Sequence, residues 1–160
     1  MTKTSGLFFI SFLMVKILKV GLEHLQELAP LFDKYRVFYQ QDSDVESARE
    51  FLRKRLNNKE SIVFIAYIKG QAVGFTQLYT SYSSVSMQPI YILNDLYVES
   101  DYRKNGIGKA LLNKAKQLCK ADNFKGLALE TAIDNPAKKL YEELGWIKDS
   151  DCFHYFWTAK

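Results

Sequence analysis

Residues 89–122 constrain the fold of this chain more than any other stretch. "PIYILNDLYVE" (89–99) is rich in β-branched and aromatic residues and reads as a strand. "GIGKALLNKAKQLCKAD" (106–122) reads as a helix with Ile107, Ala110, Leu111, Ala115 and Leu118 on its apolar face. The turn between them carries Gly106 and Gly108 among Arg103, Lys104 and Lys109. Helix-initial amides kept bare by glycines point outward, and the helix dipole makes that end suit an anion. A plain left-handed turn rimmed by surface lysines fits the same residues.

Two nucleotide motifs fail at this turn. A P-loop needs a glycine where Arg103 stands and a Ser or Thr where Ala110 stands. A dinucleotide fingerprint needs a glycine at Leu111, an early βαβ position and a downstream acid.

The rest of the chain is consistent with an α/β fold. "MVKILKV" (14–20) alternates as a strand. Leu22, Leu25, Leu28, Leu31, Phe32 and Tyr35 give a helix over 21–40, with Pro30 a kink or break. Val45, Ala48, Phe51, Leu52 and Leu56 give a second helix over 42–56, capped by Ser43 or Asp44. "SIVFIAYI" (61–68), the tight turn "KG" and "QAVGFTQLYTSY" (71–82) form a hairpin, followed by a polar loop at 83–88. A strand at 126–133, a helix at 135–145 stopped by Gly145, and a closing β hairpin at 146–158 complete the order. An antiparallel half that feeds a β–α–β unit makes a mixed sheet.

At 160 residues with 48% hydrophobic content, residues 14–160 form one domain with a real core. The net charge of +4 suits an anionic ligand and is too weak and scattered to argue for nucleic acid. Two cysteines, Cys119 and Cys152, and two histidines, His24 and His154, offer neither a disulfide framework nor metal spacing. Cys119 reads as packing and His24 as solvent-facing. Cytoplasmic residence is the expectation, with no metal and no membrane contact. "GLFFISFLMV" (6–15) is too short to span a bilayer, and residues 1–13 read as an upstream extension or a mis-called start rather than a targeting segment.

Two motifs carry a family resemblance, covering residues from about 61 to 157. "RKNGIG" (103–108) matches the Arg/Gln-x-x-Gly-x-Gly/Ala helix start of the GNAT N-acetyltransferases, and "NPAKKLYEELGW" (135–146) resembles their second signature. "YILNDLYVESDYRKNGIG" is most similar to the diamine (spermidine/spermine and thialysine) acetyltransferase branch. The resemblance implies a mostly antiparallel central sheet with splayed central strands, flanked by helices. It also implies acetyl-CoA as donor. The pyrophosphate would lie on the amides of Lys104, Asn105, Gly106, Ile107, Gly108 and Lys109, with Arg103 at the rim. The pantetheine would run along Leu96, Tyr97 and Val98, with a backbone N–H near Val98 as oxyanion donor.

Catalytic roles follow in the same way. Tyr141 is the implied proton donor to the leaving thiolate. The branch carries a Glu where this chain has Asn94, which cannot take and keep a proton at neutral pH. Asp95, or Glu130 on the next strand, could orient a deprotonating water or draw a cationic substrate. The family's pantetheine-binding Asn falls at Asp134 by offset, and Asn135 beside it is favoured, with Pro136 in the first helical turn. Tyr35, Phe38, Tyr39 and Gln40, with Asp42 and Asp44, lie where the family forms one wall of the acceptor site, alongside Asn94 and Asp95. The implied activity is transfer of an acetyl group to a primary amine of a polyamine or aminoalkyl amino acid by direct attack. A protein acetyltransferase and a non-catalytic acyl-CoA-binding module are the alternatives. A homodimer is implied, with "CFHYFWT" (152–158) as a contact surface.

Overall fold

Strand pairing in this chain follows sequence order. In a computed structural model, which describes residues 14–159, β1 (Val15–Lys19), β2 (Ser61–Ile68), β3 (Gln71–Ser83) and β4 (Gln88–Val98) pair antiparallel one after another. β5 (Leu127–Ala128) then adds parallel to β4. A parallel neighbour needs a long crossover, and α3 (Ile107–Ala121) supplies it. The expected extension at residues 1–13 lies outside the described residues.

Local chemistry explains the joints. Lys69 and Gly70 both have positive φ (49° and 80°), the backbone of the primed turns that match strand twist. α2 (Val45–Asn57) starts at Asp44, whose carboxylate accepts from the Ser47 amide at 2.9 Å. α1 (Leu25–Phe38) runs through Pro30 without ending. The lost backbone bond is offset by a face that buries Leu25, Leu28, Ala29, Leu31 and Phe32. His24 is not solvent-facing. Its Nδ1 accepts from the Gly21 amide at 2.9 Å, just before α1.

Both faces of the sheet are covered. α1 and α2 set Leu28, Ala29, Phe32 and Leu52 against Val63, Ile65 and Phe75. Phe64, Ala66 and Ile68 alternate with the Val63 set and are also buried, so β2 is apolar on both faces. α3 packs against β1 to β4 and buries Ile107, Leu111, Leu112, Ala115 and Cys119. Its inner face is therefore rotated from the expected stripe, since Leu118 and Ala110 are only half-buried. Cys119 is packing, as expected.

The described residues form two compact units, one ending at Leu129 and holding the whole sheet, the other beginning at Glu130. In the second unit three expectations are corrected. β5 ends at Ala128 rather than 133, and α4 (Lys138–Glu143) is shorter than 135–145, so Pro136 precedes the helix. No hairpin forms over 146–158. Both parities of that run are exposed, with Phe153, Tyr155, Phe156 and Trp157 each above 80%. An alternating pattern without a surface to bury one of its faces does not hold a ladder.

Candidate active site

β4 changes character at Asn94. Gln77 pairs with Asp95 but Leu78 pairs with Leu93, so Asn94 is the extra residue of a bulge. Pairing with β5 covers only Tyr91 and Ile92. Beyond the bulge, β3 is the only strand that pairs with β4 among the described residues. The Glu99 amide donates to the Val73 carbonyl at 2.9 Å. By antiparallel alternation Tyr97 and Asp95 also face β3, which leaves the Leu96 and Val98 amides on the opposite, open edge. Gly74 sits across from Val98, and a Cβ there would lie 2.7 Å from the Tyr97 carbonyl oxygen.

The open edge runs into the glycine turn. Lys104 and Gly106 adopt left-handed backbone (φ 61° and 79°), and Gly106 is the residue before α3. Space around Gly106 is open, so its conformation rather than crowding demands glycine. No side chain caps the helix, and the amides of Ile107, Gly108 and Lys109 have no intrahelical acceptor. Asn105 Nδ2 donates to the Tyr102 and Arg103 carbonyls, both at 3.2 Å, and braces the turn. These features fit a pyrophosphate followed by an extended amide-bearing arm.

Arg103 differs from its expected place at the phosphate rim. Its Nε donates to the Val98 carbonyl at 2.8 Å, and its guanidinium lies over the rings of Tyr97 and Phe38 at 5.8 and 5.9 Å.

Asp95 is 3% exposed. Its carboxylate accepts from Gln77 Nε2 at 2.5 Å and Asn94 Nδ2 at 3.1 Å. Burial pushes its pKa above the usual carboxylate value, against the opposing bonds from Gln77, Tyr35 and Asn94. Asn94 itself is exposed. Tyr35 packs edge-on against Phe75 and Tyr39, so the end of α1 closes over the Asp95 face of β4. Tyr39 and Asp42 are exposed beside it. Asp44 is committed to capping α2, and bonds from Ser47 lower its pKa.

Two residues of this region escape a sequence reading. Asp33, 4% exposed, accepts from Ser43 Oγ at 2.6 Å and the Asp44 amide at 2.8 Å, stapling the α1–α2 connection to α1. Its only signal is an acid directly after Leu31 and Phe32 on the buried stripe. Gln77 is fully buried, and a polar residue inside β3 is a signal that could have paired it with an acid.

The second unit holds the other motif. After α4, the Gly145 amide donates to the Glu142 carbonyl and the Trp146 amide to the Tyr141 carbonyl, each at 3.0 Å. Gly145 has φ 93°. This is a Schellman ending, and its usual apolar contact is the edge-on pair of Tyr141 and Trp146 at 6.1 Å. Tyr-x-x-x-Gly-Trp is thus a spacing that fixes the Tyr141 ring, which is buried. Asn135 is half-buried and its Oδ1 accepts from the Ala137 amide at 2.9 Å, whereas Asp134 is exposed. Glu130 is not on a strand. It is exposed and pairs with His154 at 3.1 Å, because β5 has already ended.

The chain matches the Acetyltransferase (GNAT) family over residues 25–146. It belongs to that family. This GNAT acetyltransferase is 47% identical to an uncharacterized N-acetyltransferase, YhfO, of Bacillus subtilis (strain 168), over 80% of this chain and 87% of that one. It is 28% identical to a thialysine N-epsilon-acetyltransferase of Caenorhabditis elegans, over 82% of both chains. A crystal structure of a probable acetyltransferase superposes with a TM-score of 0.85 at 40% identity, over 91% of this chain and 98% of that one. The α/β fold and the enzyme class follow from these matches, and the family's acetyl donor is acetyl-CoA. Among the described residues, no helix is long and apolar enough to cross a membrane, and no group of three metal-ligating side chains occurs.

Proposed function

We infer that this GNAT enzyme acetylates a primary amine of a small molecule, of polyamine or aminoalkyl amino acid type, by direct attack in a ternary complex. The observation that carries the reading is the half-open strand β4, whose free amides lead into the uncapped start of α3 beside a buried Asp95. The similarity to a thialysine acetyltransferase supports the substrate type.

Acetyl-CoA, when bound, supplies the acetyl thioester. The amides of Lys104 to Lys109 hold its pyrophosphate, and Leu96, Tyr97 and Val98 align its arm. The Val98 N–H, on the open edge, polarises the carbonyl oxygen. Asp95 takes one proton from the acceptor ammonium, directly or through a water held by Asn94, so that the neutral amine attacks, because burial has raised its basicity. As the new C–N bond forms and the C–S bond breaks, Tyr141 gives its phenolic proton to the thiolate sulfur and regains one from the second proton that the new amide nitrogen sheds, and Asn135 supports the arm. Tyr39 and Asp42 line the acceptor side. Exposed aromatics at 153–157 support a homodimer contact, and residence in the cytoplasm belongs to the same reading.

The test is thiol release from acetyl-CoA against putrescine, spermidine, lysine, thialysine, aminoglycosides and short peptides, with Tyr141→Phe run beside the wild type. The reading expects release that depends on a small aliphatic amine and falls at least tenfold in the variant. Release only with peptides would move the assignment to a protein acetyltransferase. Acetyl-CoA binding without release would move it to a binding module.

A further inference from the structure

The proposed function leaves two acceptor types open, and the first unit distinguishes them. A cleft of about 630 Å³ opens between α1 and the end of β4, lined by Val37, Phe38, Val45, Tyr97 and Arg103, with Asp33 and Lys34 at its side. Its walls are apolar and its charges are mostly matched. Lys34 is ion-paired with Glu99, which also accepts from Tyr97 Oη at 3.3 Å. Asp33 accepts from Ser43, the Asp44 amide and Arg36. Arg103 is the exception. Its Nε is bonded to the Val98 carbonyl, and its guanidinium has no carboxylate partner among the described residues. The forked end of the side chain is held over Tyr97 and Phe38 and keeps its donors available.

We propose that this cleft is a carboxylate subsite of the acceptor pocket, so that the substrate is an amine bearing a carboxylate rather than a polyamine. The proposal rests on the small-molecule acetyltransferase reading above. A guanidinium flanked by two ring faces grips a carboxylate in two-point fashion and repels a second ammonium group. Asp95 projects from the same face of β4 as Tyr97, two residues earlier and about 7 Å along the strand. Tyr97 and Arg103 line the cleft, whereas Asp95 is buried outside its lining, so the anion-binding end is the one that the cleft itself presents. Exposure of Phe38 at 56% and Val37 at 46%, next to this cation, leaves an apolar wall for the acceptor's aliphatic chain to cover. Arg103 then has a double office: its backbone belongs to the glycine turn, and its side chain reads the acceptor.

Lysine and cadaverine differ only by the carboxylate, so the ratio of their kcat/KM values reports the subsite independently of donor binding. The wild type is expected to prefer lysine by about tenfold or more, through KM. Arg103→Gln should bring the ratio close to one whatever it does to the overall rate, and Arg103→Lys should restore part of it. Equal use of both amines by the wild type, or a ratio that survives in Arg103→Gln, overturns the subsite and leaves the acetyltransferase reading standing. A guanidinium that serves the donor would show as weaker acetyl-CoA binding with the ratio unchanged, which also overturns it. No amine-dependent thiol release with any acceptor would bring down the broader reading as well.

Discussion

β4 is one strand with two halves. Up to Ile92 it has β3 on one side and β5 on the other, and its side chains serve packing: Tyr91 stacks on Phe124 and donates to Asp122 at 2.5 Å. From Asn94 to Val98 it has β3 as its only strand partner among the described residues, and there the glycine opposite, the buried acid and the free amides gather. The same polypeptide builds a wall and then a binding edge, and a single bulged residue separates them. The lesson is that the ladder is broken where the chain has other uses for its hydrogen-bonding groups.

The strongest way to break this contrast is to remove a donor from the open edge without touching β3. Val98→Pro does that, since the Val98 amide faces away from β3. Activity should fall about 100-fold or more, while circular dichroism and the melting transition stay near wild type. The equivalent change in the closed half, Tyr91→Pro, deletes the Tyr91 amide bond to Gly126 and should instead lower stability.

Asp95→Asn sharpens the contrast next. Because burial raises the folded-state pKa of Asp95, the folded protein holds this proton more tightly than the unfolded chain does. Its contribution to stability is therefore largest below the ordinary aspartate range and is lost as pH rises through the raised value. The variant should be at least as stable as wild type at neutral pH, and its relative advantage should shrink in acid. Its kcat should drop about 100-fold, and the wild-type rise of activity with pH through the Asp95 ionisation should disappear. Denaturant melts and pH–rate profiles read both effects.

Gly74→Ala presses a methyl group against the Tyr97 carbonyl and should cost about 1–3 kcal/mol in a denaturant melt. Gly145→Ala is the smallest. It forces a side chain into φ 93° and should cost about 1 kcal/mol, with a modest fall in kcat as the Tyr141 ring loosens from Trp146.

Much of the sheet was legible from periodicity. Ser61–Ile68 and the Lys69-Gly70 turn fall where a short apolar run and turn chemistry put them, and the two-glycine helix start is where it was expected. What could not be read involves partners distant in sequence. Asp33 looks like any helical acid until the connection between α1 and α2 folds back onto it. The end of β5 follows its pairing with β4, which stops at Ile92 and Ala128, and a partner in another strand leaves no mark in residues 129–133. Arg103 reads as part of a phosphate turn, and only the ring faces of Phe38 and Tyr97 show where its side chain goes. In the other direction, the second motif gained a reason. Its glycine and aromatic are the ending of α4, and that ending positions Tyr141.

Amide hydrogen exchange with and without acetyl-CoA tests the half-open strand most directly. The account predicts new protection at Leu96, Val98 and Ile107 to Lys109, with little change at Asp95 and Tyr97, which are already bonded to β3. Tight acetyl-CoA binding that leaves the Leu96 and Val98 amides exchanging as fast as before would contradict it.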